Sequence, residues 1–237
     1  MATILLFRDD AYQKETPAVV TAVTPEGGIV VDRTVFYATA GGQPGDRGTL
    51  VRANGSEIPI ETAIYGPSKV DVVHVPASGT VLPEPGEAVT LRLDWATRHR
   101  RMRMHTALHL LSVALPFPVT GGSIGEDESR LDFDIPEAGL DKDEITAKLA
   151  EMIASGAKVS ERWISDEELL ANPGLVKTMA VKPPMGTGKV RLVEIAGLDL
   201  QPCGGTHVRS LEEIGPVQVS KIEKKGQQNR RVRLAWA

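Results

Sequence analysis

Two periodicities divide the chain and limit what it can fold into. Through residue 91 the apolar positions come in short β-branched or alternating runs, Ala18–Val23, Gly28–Val31, Thr49–Val51, Glu57–Ile60 and Val70–Val75. Between them stand Thr24-Pro25, Gly41-Gly42-Gln43-Pro44 and Gly66-Pro67. Alternation at period two buries one face of a strand, and Pro/Gly signals turn the chain after each run, so this part predicts a small barrel or sandwich. After Pro83–Gly86, a plausible boundary, the grammar changes. From Asp94 to Leu115, Met104, Leu108, Leu111 and Leu115 recur at three- and four-residue intervals until Pro116 closes the segment, which is the period of a helix. Asp141 with Glu144 predicts the capped start of a second helix burying Ile145, Leu149 and Ile153 as far as Gly156; Ser165 and Glu168 predict a short third, stopped at Asn172-Pro173. Val190–Ile195, Val217–Glu223 and Arg231–Trp236 read as strands, the last two joined by a turn around Gly226–Asn229.

A chain of 237 residues, 41% of them hydrophobic, is long enough to bury a core, and no apolar run reaches the roughly 18 residues that a membrane helix requires. The N-terminal MATILLFRDDAY has no basic residue ahead of its short apolar stretch and two acids after it, which argues against a secretory leader and for a cytoplasmic protein. Cys203 is the single cysteine, so no internal disulfide forms; it is either an incidental thiol or one kept for a metal or for catalysis. The net charge of −4 conceals a distribution. Arg92–Arg103 holds five arginines and one aspartate, a local +4; Lys221–Arg233 holds six bases and one acid, a local +5; Glu126–Glu168 carries −9. If the fold joins the two basic segments they form a surface suited to phosphates; if not, they are solvated faces.

His105 and His109 stand four apart in the first helix, where side chains at i and i+4 share a face and reach one ion. Cys203-Gly204-Gly205-Thr206-His207 offers a thiolate and an imidazole across a loop whose glycines let the backbone bend tightly. Either pair alone is a weak signal. Together they use three of the five histidines and the only cysteine, and they make a set that suits one tetrahedral zinc ion. The residue after His105 is Thr106, where zinc peptidases of the His-Glu-x-x-His type carry their general base. An ion here acts through bound water or substrate orientation, or serves structure only.

The strings MRMHTALHLL and DLQPCGGTHV, about a hundred residues apart, resemble the metal motifs of the alanyl-tRNA synthetase editing domain and its free-standing relatives, the AlaX-type alanyl-tRNA editing hydrolases. The segment Val35–Gly48, VFYATAGGQPGDRG, is similar to that family's Phe-Tyr-Pro-x-Gly-Gly-Gly-Gln-Pro-x-Asp-x-Gly, with Ala38 in place of proline and Ala40 in place of glycine. The resemblance runs from about residue 5 to Leu234, and the length matches the medium-sized free-standing members, which lack an aminoacylation domain. It implies ATP-independent hydrolysis of the ester joining serine, or glycine, to the terminal adenosine of tRNA(Ala). It assigns His105, His109, Cys203 and His207 to one Zn2+ ion, with His105 and His109 at the reaction centre. Asp199 and Gln201 become candidates for the polar groups that orient the ligands or the nucleotide. Thr39 matches the position expected to contact the serine hydroxyl, and Gln43 lies close to it in sequence. The tRNA acceptor stem gives the basic segments a purpose, with Arg98, Arg100, Arg101, Arg103, Lys221, Lys224, Lys225, Arg230 and Arg231 as phosphate contacts and neither DNA nor membrane as a partner.

Two other readings stay open: an RNA-binding module with a structural zinc site, and a related zinc hydrolase acting on another small ester. The expected fold is α+β. A small β-barrel domain over residues 1–91 precedes a domain over 92–237 in which helices carrying the zinc site pack on one antiparallel sheet, formed by strands near 158–164, 190–195, 217–223 and 231–236.

Overall fold

In the computed structural model, which describes residues 2–136, 139–177 and 188–237, the period-two segments become strands. They are β1 (Ile4–Leu5), β2 (Glu15–Val23), β3 (Ile29–Val31), β4 (Arg33–Thr34), β5 (Gly48–Arg52), β6 (Glu57–Tyr65), β7 (Val72–Pro76) and β8 (Ala88–Leu93). Six close a barrel in the order β2-β3-β7-β6-β5-β8, with every pairing named between them antiparallel; β1 and β4 form a parallel pair of their own. Closure leaves these six without an open edge. Thr16, Ala18 and Val20 of β2 point inward at period two, as do Ile58 and Ile60 of β6. A bulge between Ile60 and Thr62 then shifts the phase, so that Ala63 becomes the next buried residue. The interior is filled by Val20, Ile29, Val31, Phe36, Leu50, Ile58, Ile60 and Leu91. Strand β8 went unread in the sequence; its Leu91 sits between Thr16 of β2 and Leu50 of β5. Pro83–Gly86 is therefore a turn inside the barrel rather than its end.

The chain divides into two compact units, one ending at His99 and the other beginning at Arg100, within helix α1 (Trp95–Ala114). Asp94 caps that helix, accepting hydrogen bonds from the Thr97 amide at 3.1 Å and the Thr97 hydroxyl at 2.8 Å. There follow β9 (Val119–Ser123), β10 (Glu128–Asp134), α2 (Lys142–Ala154), β11 (Val159–Ser165), α3 (Asp166–Ala171), β12 (Lys189–Ile195), β13 (Asp199–Pro202), β14 (Val217–Lys224) and β15 (Asn229–Trp236). The capping signals act as expected: the Asp141 carboxylate accepts from the amides of Asp143 and Glu144, and the Ser165 hydroxyl from that of Glu168. Among the described residues no helix is long and apolar enough to cross a membrane.

The α+β class holds, but the single expected sheet does not. Strands 217–224 and 229–236 belong to a sheet ordered β14-β15-β10-β9, whereas 159–165 and 189–195 belong to another, β11-β12-β13. The sequence reading missed β9 and β10 of the first sheet and β13 of the second. β9 reads Val-Thr-Gly-Gly-Ser, with one apolar side chain, and β10 reads Glu-Ser-Arg-Leu-Asp-Phe-Asp, where only Leu131 and Phe133 alternate among charged residues; β10 buries fully only Ser129 and Phe133. Its pairing with β15 is reinforced by charge, Arg231 Nε lying 2.8 Å from Asp132 Oδ1.

Arg98 is a second correction. Expected on a phosphate-binding surface, it is wholly buried in the first unit. Its Nε lies 3.0 and 2.9 Å from the two oxygens of Asp46, Nη1 donates to the Ala11 carbonyl at 2.9 Å, and Nη2 donates to the Val35 carbonyl at 2.7 Å. With its side chain wholly out of reach of solvent, no phosphate can approach it. Asp46 in turn accepts from the Tyr37 amide at 2.6 Å and closes the base of the loop 37–46 through its own amide. Higher in the loop the Thr39 hydroxyl accepts from the Gly45 amide at 2.8 Å, and Ala40 pairs with Gln43 across Gly41 and Gly42, whose φ angles of 55° and 81° favour glycine. A Cβ on Gly45 would lie 1.9 Å from the Ala63 carbonyl oxygen, so that glycine is sterically required. Arg98→Met should leave Asp46 buried without its counter-charge and destabilise the protein by about 3–5 kcal/mol, read as a lowered denaturant midpoint; an unchanged midpoint would refute this role.

Candidate metal centre

Helix α1 places His105 and His109 on one side, and the turn after β13 returns Cys203 and His207 to them. One ligand atom from each of the four lies within 4.8 Å of the others. The imidazole centroids are 5.2 Å apart for His105 and His109, 4.1 Å for His105 and His207, and 4.5 Å for His109 and His207. Cys203 Sγ lies 3.5 Å from His105 Nε2 and 3.3 Å from His207 Nε2. The three histidines are buried and the cysteine is half-buried. Three nitrogens and one sulfur converging in so small a volume repel through their lone pairs unless a positive charge sits among them. That donor set fits zinc in chemistry and in number.

The outward-facing nitrogens are held too. His109 Nδ1 is 3.2 Å from Asp199 Oδ2; Nδ1–H donates to the carboxylate, which leaves Nε2 facing inward. Asp199 itself accepts from Gln201 Nε2 at 2.6 Å and pairs with Lys177, and Gln201 Nε2 also reaches Ser112 Oγ at 3.3 Å. For His207 the partner is Thr106. The Thr106 hydroxyl spends its single proton on the Met102 carbonyl at 2.9 Å, so across the 3.1 Å contact His207 Nδ1 must be the donor, which again leaves Nε2 inward. Thr106 also accepts from the Val208 amide at 3.3 Å. Thr106, which the sequence reading used only to exclude a peptidase, thus orients a ligand and completes its own hydrogen bonding. Lys177 was also missed; nothing in a lysine 22 positions before Asp199 signals that the two meet.

Electrostatics follow from this packing. Burial alone would raise the Cys203 thiol, but the imidazoles of His105 and His207 more than offset it and hold the group well below the ordinary thiol range, as a thiolate. Burial would lower His109, yet Asp199 and the Cys203 thiolate raise it to about 9. His207 is driven well below the ordinary histidine range by burial and by its histidine neighbours.

The structure therefore gathers His105, His109, Cys203, His207, Asp199 and Gln201 into one cluster of the second unit. Thr39 and Gln43 lie on the 37–46 loop of the first unit, Thr39 exposed and Gln43 buried. The Thr39 hydroxyl donates to the Ala63 carbonyl at 3.3 Å and accepts from Gly45, so one lone pair remains. The basic residues divide. Arg231 pairs with Asp132, Arg101 with Glu126, and the buried Arg230 donates from Nη1 to the carbonyls of Gly226, Gln227 and Asn229. Arg103 donates to the Ile214 carbonyl at 2.8 Å and lies 4.2 Å over the Trp236 ring. Arg100, partly paired with Asp127, and Lys221, Lys224 and Lys225 keep substantial exposure.

Residues 190–233 match the family described as the threonyl and alanyl tRNA synthetase second additional domain, and residues 2–97 match the class II (A) tRNA synthetases. The chain is 35% identical to the alanyl-tRNA editing protein AlaX-M of Methanosarcina acetivorans, over 97% of each chain. It is 36% identical to the protein of that name from Methanosarcina barkeri, again over 97% of each, and 35% identical to that from Methanosarcina mazei, over 97% of this chain and 95% of the relative.

The raised His109 sets a test of the cluster. Below pH 9 His109 carries a proton that a metal ion must displace, whereas Cys203 is already deprotonated. Zinc binding near pH 7.5 should therefore release about one proton, and affinity should rise about tenfold per pH unit until pH approaches 9. Calorimetry in buffers of different ionisation enthalpy measures this; release of no proton would contradict it.

Proposed function

The chain belongs to the alanyl-tRNA editing protein family, and on that footing we propose that it is a trans-editing hydrolase that clears mischarged tRNA(Ala) in the cytoplasm. The reaction is addition of water across the ester between the wrong amino acid and the terminal ribose, giving free amino acid and a tRNA with its hydroxyl restored. Serine is the first expected substrate and glycine the second. The observation that carries this reading is the His105/His109/Cys203/His207 group, its three histidines buried and its ligand atoms within 4.8 Å of one another, in a chain 35% identical to an editing protein over 97% of its length.

These four residues would hold one zinc ion, which supplies Lewis acidity or a lowered water pKa to an ester that is already activated. The protein's own part is to hold the ligand rings so that their inward nitrogens are aimed at one point. Asp199 does so for His109, with Gln201 and Lys177 holding the carboxylate, and Thr106 does so for His207. Because the Thr106 hydroxyl is committed to Met102, His207 and Val208, the position that supplies a general base in zinc peptidases supplies none here.

For selectivity we assign Thr39 the contact with the serine hydroxyl, with Gln43 supporting the loop. The remaining lone pair on Thr39 Oγ1 accepts that hydroxyl's proton, and an alanyl ester has nothing to offer it. For the tRNA we assign phosphate contacts chiefly to the exposed Lys221, Lys224 and Lys225 and the half-buried Arg100, with Arg101, Arg103, Arg230 and Arg231 supporting them from their ion-paired, hydrogen-bonded and stacked positions.

The deciding experiment is deacylation of seryl-, glycyl- and alanyl-tRNA(Ala) with and without a chelator. Chelator-sensitive loss of serine with alanine spared is the expected result; tight tRNA binding without turnover would replace the enzyme by an RNA-binding module. Thr39→Val should slow the seryl reaction about tenfold relative to any alanyl background, the worth of one hydrogen bond, and equal rates would sink the Thr39 assignment. Binding should weaken steeply between about 50 and 200 mM salt, and Lys221→Ala with Lys224→Ala and Lys225→Ala should flatten that slope by about 2. A slope unaltered by the triple substitution would move the phosphate contacts elsewhere.

A further inference from the structure

Arg191 is a charged residue in β12 between Val190 and Leu192, both buried, and it is itself only 4% exposed. Glu161 of β11 takes one edge of its guanidinium: Nε donates to Oε2 at 3.2 Å and Nη2 pairs with the other oxygen. The remaining nitrogen, Nη1, donates to two main-chain carbonyls at once, Cys203 at 2.9 Å and Gly205 at 2.8 Å. The backbone adds a third tie, the Cys203 amide donating to the Arg191 carbonyl at 3.1 Å. Two carbonyl oxygens aimed at the same place repel, and one nitrogen carrying two hydrogens fixes their separation. Steric packing does not do this work at Gly204, where even an added Cβ would meet nothing within 4 Å. The bend so held leaves Cys203 Sγ 3.3 Å from His207 Nε2 and 3.4 Å from the Gly205 amide, which donates to the sulfur.

We propose that Arg191 is the positioning residue of the Cys203–His207 loop, bridging the Cys203 and Gly205 carbonyls so that half of the metal-binding set is formed before the ion arrives. The proposal rests on the reading of the four residues as metal ligands and is independent of the tRNA substrate. Geometry calls for arginine. A lysine ammonium keeps the charge but lacks the planar fork that grips Glu161 with two nitrogens and leaves a third for the carbonyls.

The test uses the full chain and Co2+ as probe, followed by thiolate-to-cobalt charge-transfer absorption and by competition with a chromogenic chelator. Arg191→Met should bind Co2+ about 10- to 100-fold more weakly, with a weakened or shifted thiolate band. Arg191→Lys, which retains the charge and is the safer variant for folding, should weaken binding about tenfold and quicken metal release to chelator. Glu161→Gln, which keeps one acceptor for the guanidinium and leaves the Nη1 bridge in place, should weaken binding less than Arg191→Met does. A residue that only stabilised the fold would lower the melting temperatures of metal-free and metal-loaded protein alike and leave affinity and band unchanged. Wild-type affinity and absorption in Arg191→Lys overturn the proposal whether or not Arg191→Met folds. A wild-type protein with no thiolate-to-cobalt band overturns the metal reading beneath it, a distinguishable failure.

Discussion

Four lone-pair donors within 4.8 Å of one another, most of them shielded from water, are tolerable only with positive charge among them, and much of the second unit is arranged around that demand. The i, i+4 spacing on α1 supplies two imidazoles without any tertiary help. The other two donors reach the same point only because β13 ends there and a glycine turn folds back. Around them lies a layer whose members each satisfy one outward valence: Asp199 for His109, Thr106 for His207, the Gly205 amide for the sulfur. Without an ion the required charge is the His109 proton; with one, the ion replaces it. The cluster is therefore matched in number of lone pairs to a single four-coordinate metal ion.

Charge elsewhere is spent mostly on structure. A run of arginines in sequence suggests a basic surface, but guanidinium groups are the side chains best able to pair in a fixed geometry, and here they do. Arg98 is buried against Asp46, Arg231 and Arg233 interleave with Asp132, Glu128 and Glu223 across the β10-β15-β14 sheet, and Arg191 is held by Glu161. Glu223, beside Arg233 and with Lys225 within reach, is held down to about 2. Much of the acidic excess from Glu126 onward thus meets the arginines of the flanking segments inside the second unit, and the lysines at the β14–β15 turn stay outermost. Local net charge in the sequence counts these residues correctly and locates few of them.

The part of this protein legible in the linear chain is the part governed by short-range geometry. Period-two runs marked five barrel strands, helix period and capping residues marked three helices, and His-x-x-x-His with Cys-x-x-x-His marked the donor set, because each of those signals acts over a few residues. Folding in three dimensions decided the rest. It made Ala88–Leu93 the closing strand, whose alternating Val89, Leu91 and Leu93 the sequence reading passed over, it recruited the glycine-rich β9 and the polar β10 beside β15, and it divided one expected sheet into two. It buried Arg98 52 residues away from its partner Asp46, and it brought Thr106 to His207 and Arg191 to the carbonyls of Cys203 and Gly205. Those contacts depend on desolvation and on which hydrogen-bonding groups the closed fold leaves unpaired, quantities that do not exist until the chain has folded.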